Sequence, residues 1–419
     1  MWFKKEKNME EKPLAYWEEK SYMMVIPEKN TEDFMSGMFD RVSNIEGIKI
    51  IDQTPFKLKE HGSIKLIYQN EEYEVGFYPS GFSLPEVYLH KSFYFTQEEI
   101  EKLKDATSAL TIYMKWHENP KKAFHLQLKL AVAFIPNLIG IVDESAEKVL
   151  PSRWVKMIAS SKILPSSNDL YTVHIVYEKN GEVWLHTHGL CRCGQTELEI
   201  LKSNQENYNN HYRLLSTYAN YLIDQKESFD PREKGAYIGV LMNKNPIVVT
   251  CISWTKGLKE YKKISLGNLQ ARQEGHNSKS SIIFLYKSEE DEKQKRLSKI
   301  SEYDSLWGEN PIFFVSNEET ARMKSLAMER FHFVKDYKDN EIIIKIGLPI
   351  DQEGSFEHIW FKLIEFEGEK FKAKLLQEPY HVKDMHEGDE AWYTVSDVTD
   401  WMIHTPNYTI TPENTYRLL

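Results

Sequence analysis

The segment HTHGLCRC, residues 186 to 193, places two histidines and two cysteines within eight positions. Imidazole and thiolate are the ligands zinc takes most readily, so His186, His188, Cys191 and Cys193 form a candidate metal set. On a strand, an H-x-H pair projects both rings to one side from backbone positions roughly 6.6 Å apart, close enough to converge on one ion. Gly189 could then turn the chain back and bring the thiols in. H-x-H-x2-C-x-C is not among the common zinc spacings, and two other readings stand beside it. In one, a histidine works without a metal; in the other, the rings are hydrogen-bonded next to Trp184 and the thiols are small apolar fillers.

The same segment resembles the metal-binding signature of the JAMM metalloproteases, H-x-H followed by Ser and then Asp, with Thr196 and Glu199 at those last two positions. In that family the histidines and the Asp bind zinc and a separate Glu polarises the attacking water. The resemblance is confined to this stretch and implies a metal-dependent hydrolase centred on His186 and His188. Gly189 stands where the family has proline, and no position recommends itself as the catalytic Glu. No P-loop, G-x-G-x-x-G turn, G-x-S-x-G elbow or H-E-x-x-H helix is present, which lowers the odds of the common nucleotide, serine-hydrolase and zincin chemistries.

The element that must position the histidines is a hairpin over 171–189, reversed at Asn180 and Gly181. A two-residue turn there sets Tyr177 opposite Trp184, Ile175 opposite His186 and Val173 opposite His188. His186 and His188 then share an apolar face with Trp184, while His174 points the other way with Val176, Leu185 and Thr187.

Around this hairpin, 419 residues are too many for one core, at roughly 100 to 200 residues per domain. Hydrophobic and aromatic fractions of 41% and 13% exclude a disordered chain, and 23 Tyr with 20 Phe favour sheets. The expected class is α+β and multidomain, with mixed and antiparallel sheets. Residues 12–118 read as an α+β domain, 119–335 as a sheet-dominated domain holding the His/Cys hairpin and a charged connector at 288–304, and 340–419 as a β-rich module. Within the first, a strand at 21–27, a helix at 31–42 and two strands in 63–79 are expected. A helix across 95–117 is announced by Thr96 and Glu99 and by Ile100, Leu103, Ala106, Leu110 and Met114 at helical spacing. A buried helix should follow at 121–136, strands at 236–242, 246–254 and 280–286, and a helix after Ser316.

A net charge of −10 argues against nucleic acid and anionic lipid as partners. No stretch approaches the roughly 18 apolar residues of a membrane span, and the N-terminus lacks the apolar core of a signal peptide. Three cysteines, an odd set, suit a reducing compartment. A cytoplasmic protein is the expectation.

Residues 356–403 carry Glu357-His358 before Trp360, Glu378-Pro379, Val382, Gly388-Asp389 and Asp400-Trp401. This combination resembles the YegJ-like bacterial domain of unknown function, with Gln377 where that family often has Asn. The part around WLHTHGL looks like the uncharacterised α+β domain found in front of it, in which an aromatic is usual at the position of Cys193. The resemblance implies a bacterial, two-part protein and supplies no activity. Asp397, Asp400 and Trp401, expected on a short helical turn or loop, set an acidic pair beside an aromatic that could anchor a partner. Two functions follow. The first is an interaction or regulatory protein that binds another protein without a cofactor, an immunity or defence factor being the specific variant, because an acidic chain suits a basic target. The alternative is the zinc-dependent hydrolase.

Overall fold

The computed structural model describes residues 20–29, 36–54, 61–90, 92–115, 117–225, 231–241, 244–273, 279–307, 311–350 and 356–419. The chain is α+β and divides into two compact units, one running to Ala159 and from Pro165 to Val315, the other formed by Ser160–Leu164 with Ser316–Leu419. Among the described residues no helix is long and apolar enough to cross a membrane.

The first sheet has seven strands: β1 (Lys20–Pro27), β2 (Ile48–Thr54), β3 (Gly62–Tyr68), β4 (Glu71–Gly81), β5 (Ser108–Lys115), β6 (Leu138–Asp143) and β7 (Lys148–Pro151), in the order β2-β3-β4-β5-β1-β6-β7. It therefore takes two strands from beyond residue 118. The helix Pro120–Phe134 covers it, started by the Asn119 side chain accepting from the Lys122 N–H and by proline in the first turn. Phe134 meets Phe77 of β4 edge-on at 5.3 Å.

The helix expected across 95–117 stops at Asp105. Its start is as read, since Thr96 and Glu99 make a full capping box. The second half is strand β5, paired with β1 and β4. A four-residue spacing such as Leu110 to Met114 keeps two side chains on one face of a helix and equally on one face of a strand, so it cannot choose between them. Thr111, Ile112 and Tyr113 favour extended backbone, and burial on both faces erases the alternation. Of the helix expected at 31–42, Met38–Ser43 is helical and 31–35 lie outside the described residues.

The second sheet holds β8 (Thr172–Tyr177), β9 (Glu182–His188), β10 (Glu197–Asn204), β11 (Ala236–Val240), β12 (Pro246–Ser253), β13 (Ser280–Tyr286) and β14 (Ile312–Phe313), ordered β14-β11-β12-β13-β10-β9-β8. Pairing is antiparallel except between β10 and β13. The helix Tyr208–Ile223 buries Leu214, Leu215, Tyr218 and Ala219.

The third sheet lies in the second unit: β15 (Glu341–Pro349), β16 (Phe356–Glu367), β17 (Lys370–Leu375), β18 (Glu390–Thr394), β19 (Val398–His404) and β20 (Thr409–Ile410), ordered β18-β17-β16-β15-β19-β20. Ser316 caps the helix Asn317–Glu329, as expected. Trp401 sits at the centre of this core with Ile344, Phe361 and Phe371.

Candidate metal centre

The β8–β9 hairpin is present, but its register differs by one residue from that of a two-residue turn. His174 pairs with His186, Ile175 with Leu185 and Tyr177 with Val183. The loop is Lys179, Asn180 and Gly181: the Gly181 N–H donates to the Glu178 carbonyl, the Glu178 N–H to the Glu182 carbonyl, and Gly181 takes φ +85°. This is a type I turn closed by a left-handed glycine, the usual three-residue hairpin loop. Because the side-chain period is two, the one-residue slip moves His174 onto the face of His186, opposite to the expectation, and leaves Tyr177 exposed.

Three imidazoles thus converge. His174, His186 and His188 each offer a ring nitrogen, and these nitrogens all lie within 4.8 Å of one another. Around a tetrahedral zinc at 2.0–2.1 Å, ligand nitrogens stand about 3.3 Å apart, so the three rings would draw together by up to about 1.5 Å around an ion. His186 is fully buried and lies against Trp184, ring centroids 3.9 Å apart and the planes tilted by 31°. The Trp184 indole N–H donates to Glu199 at 2.9 Å, and Glu199 stands across the β9–β10 ladder from His186.

A carboxylate arrives from the first sheet. Glu147, in the β6–β7 turn, sets one oxygen 3.2 Å from His188 Nδ1 and the other 3.6 Å from His174 Nδ1. Burial, helped by the charge of Glu197, pushes its carboxyl up to about 7. The His174 side chain is 16% exposed and that of Glu147 25%, so solvent approaches from their side.

Cys191 and Cys193 are not in this group. They lie on a single 3-10 turn after Gly189, held by Glu197, whose one oxygen accepts the Gly189 and Cys191 N–H groups and whose other accepts the Thr187 hydroxyl. The Cys193 thiol is buried towards the Gly189 carbonyl at 3.9 Å, and burial pushes it up to about 12, which keeps it a thiol. Gly189 has φ +114°, a conformation closed to proline, so the loop after His188 is not the one a proline there would make. Thr196 donates to Ser281. The third imidazole comes from His174, and Glu199 lies outside the group.

The second unit places the other candidates apart. Asp397 caps the turn Val395–Asp397 by accepting from the Thr394 N–H. Asp400 and Trp401 belong to strand β19, where a loop was expected, because β19 pairs with β15 along its length. Asp400 is half-buried and accepts from the Trp401 N–H. Trp401 is fully buried, its indole N–H donating to the Ala327 carbonyl at 2.9 Å.

Residues 21–165 match the N-terminal part of a protein of unknown function, DUF4026, and residues 173–284 its C-terminal part. Residues 321–412 match an uncharacterized protein conserved in bacteria, DUF2314. The chain carries both DUF4026 domains and a DUF2314 domain. All three histidines fall in the DUF4026 C-terminal match and Glu147 in the N-terminal one. No curated protein and no solved structure gave a match.

His186 and His188 are evident from the sequence, whereas the face of His174 and the arrival of Glu147 are not. The first follows from loop geometry. The second is a tertiary placement for which the turn between β6 and β7 holds no local signal.

Proposed function

We propose that the DUF4026 region is a metal-dependent hydrolase, its ion held by His174, His186 and His188. The observation that carries this is the approach of the three ring nitrogens to within 4.8 Å on one face of one hairpin. Neutral imidazole suits zinc and its late first-row neighbours better than magnesium or calcium. Three protein ligands are the usual number at a catalytic zinc, the fourth position being left to water, whose pKa the ion lowers to about 7. The partial exposure of His174 and Glu147 gives that water and a substrate carbonyl a way in. The H-x-H likeness to JAMM metalloproteases supports peptide-type bonds as the substrate class. The residue pattern over 356–403 supports a YegJ-like C-terminal domain, and the three free cysteines suit a reducing, cytoplasmic setting.

The test is hydrolysis of a panel of fluorogenic peptide and isopeptide substrates by zinc-loaded protein purified without an affinity tag. Turnover abolished by chelation, restored by zinc and absent in His186→Ala supports the reading. Turnover indifferent to chelation contradicts it, as does a chain that takes up no zinc, iron or manganese.

A further inference from the structure

Glu147 stands in a conformation that needs an explanation. It has φ +50°, a left-handed backbone that a residue with a side chain adopts only at a cost. Its neighbours hold it there. The His90 Nε2–H donates to the Glu147 carbonyl at 3.0 Å, and burial pushes the His90 imidazole down, favouring the neutral ring. On the other side, Lys148 is buried and its ammonium donates to the carbonyls of Asp169 (2.5 Å) and Tyr171 (3.2 Å), in the segment that leads into β8 and His174. The β6–β7 turn is thereby pinned to the start of the histidine hairpin, and the partly exposed side chain of Glu147 has each oxygen facing an imidazole.

The two carboxylate oxygens face Nδ1 of His188 and Nδ1 of His174. A carboxylate that accepts from Nδ1–H fixes the tautomer and turns Nε2, on the far edge of the ring, towards an ion. Building on the metal reading above, we propose that Glu147 is a positioning residue for the metal, supplied by the DUF4026 N-terminal domain to a site whose three ligands all belong to the C-terminal domain. The site is complete only with both domains in place. This gives the paired occurrence of the two domains in one chain a chemical reason: the first orients what the second ligates.

The experiment is a competition titration of zinc against a chromophoric chelator on the full chain, comparing wild type with Glu147→Ala, Glu147→Gln and, as a control carboxylate in the same turn, Glu144→Gln. Removing an outer-shell partner of a metal-bound histidine weakens binding roughly 10- to 100-fold, and that loss is expected for Glu147→Ala. Glu147→Gln keeps one acceptor oxygen at nearly the same shape and should lose less; Glu144→Gln should bind as wild type does. The visible spectrum of the cobalt-substituted protein separates positioning from folding, since its bands shift in Glu147→Gln while far-ultraviolet circular dichroism stays the same. Equal zinc affinity in wild type and both Glu147 variants overturns the role of Glu147 and leaves the ligand set standing. A wild type that binds no zinc overturns the ligand set and this proposal with it.

Discussion

His174 faces His186 directly across the β8–β9 ladder, their ring centroids 5.5 Å apart. The pairing depends on Glu178 closing the loop opposite Glu182. Deleting Glu178 while keeping Lys179-Asn180-Gly181 brings Tyr177 opposite Glu182, moves every β8 residue one place and sends His174 to the other face. Zinc affinity should fall by more than about a hundredfold. Deleting Lys179 instead leaves Asn180-Gly181 as a two-residue loop with the native register, and affinity should persist. The chelator titration that compares the two deletions decides the point; equal behaviour would contradict the register argument.

Gly189 sits where no other residue fits. A Cβ there would come 2.5 Å from the Leu170 carbonyl oxygen and 3.0 Å from the Tyr171 Cα, at φ +114°. Gly189→Ala should cost about 2–4 kcal/mol, from left-handed strain plus overpacking, in a denaturant unfolding curve. An unchanged midpoint would show that the loop relaxes freely.

How much of this was legible beforehand depended on the range of the interaction that decides each feature. The hairpin is legible because Asn180-Gly181 is a local signal, yet the same dipeptide serves two-residue and three-residue loops, and the dipeptide by itself does not fix which is formed. The strand Ser108–Lys115 has the sequence look of a helix because Leu110 and Met114 satisfy both periods, and only pairing with β1 and β4 selects one. The C-terminal strands, by contrast, were readable from alternation, as in Ile359 and Phe361, since one face of β16 stays wet. Glu147 was invisible because its significance lies in a contact between two sheets.

Glu99 supplies a pH test. Burial pushes its carboxyl up, but hydrogen bonds from Arg153 and from the Thr96 cap outweigh this and hold it below the usual carboxylate value. A depressed folded-state value contributes stability above the unfolded pKa of about 4.3, and that stability is lost as the pH falls through the folded value. Glu99→Gln should therefore cost about 1–2 kcal/mol at pH 7. The gap between variant and wild type should narrow below about pH 4. Urea midpoints across that range measure it, and a gap that widens in acid would reverse the sign.

In the second unit, Trp401→Ala should cost about 3–5 kcal/mol, because a fully buried indole is removed from the centre of a small core. Trp401→Phe keeps much of the apolar volume but orphans the Ala327 carbonyl, a smaller loss of about 1–3 kcal/mol. Thermal unfolding of the two variants checks the order; a Trp401→Ala protein as stable as wild type would contradict the placement.

X-ray absorption at the zinc edge of the zinc-loaded chain tests the central claim most directly. Three imidazole nitrogens from adjacent strands predict a shell of nitrogen and oxygen scatterers at about 2.0–2.1 Å, with the outer-shell pattern of three histidine rings and no sulfur. Sulfur scattering at about 2.3 Å would put Cys191 or Cys193 in the shell and contradict the account.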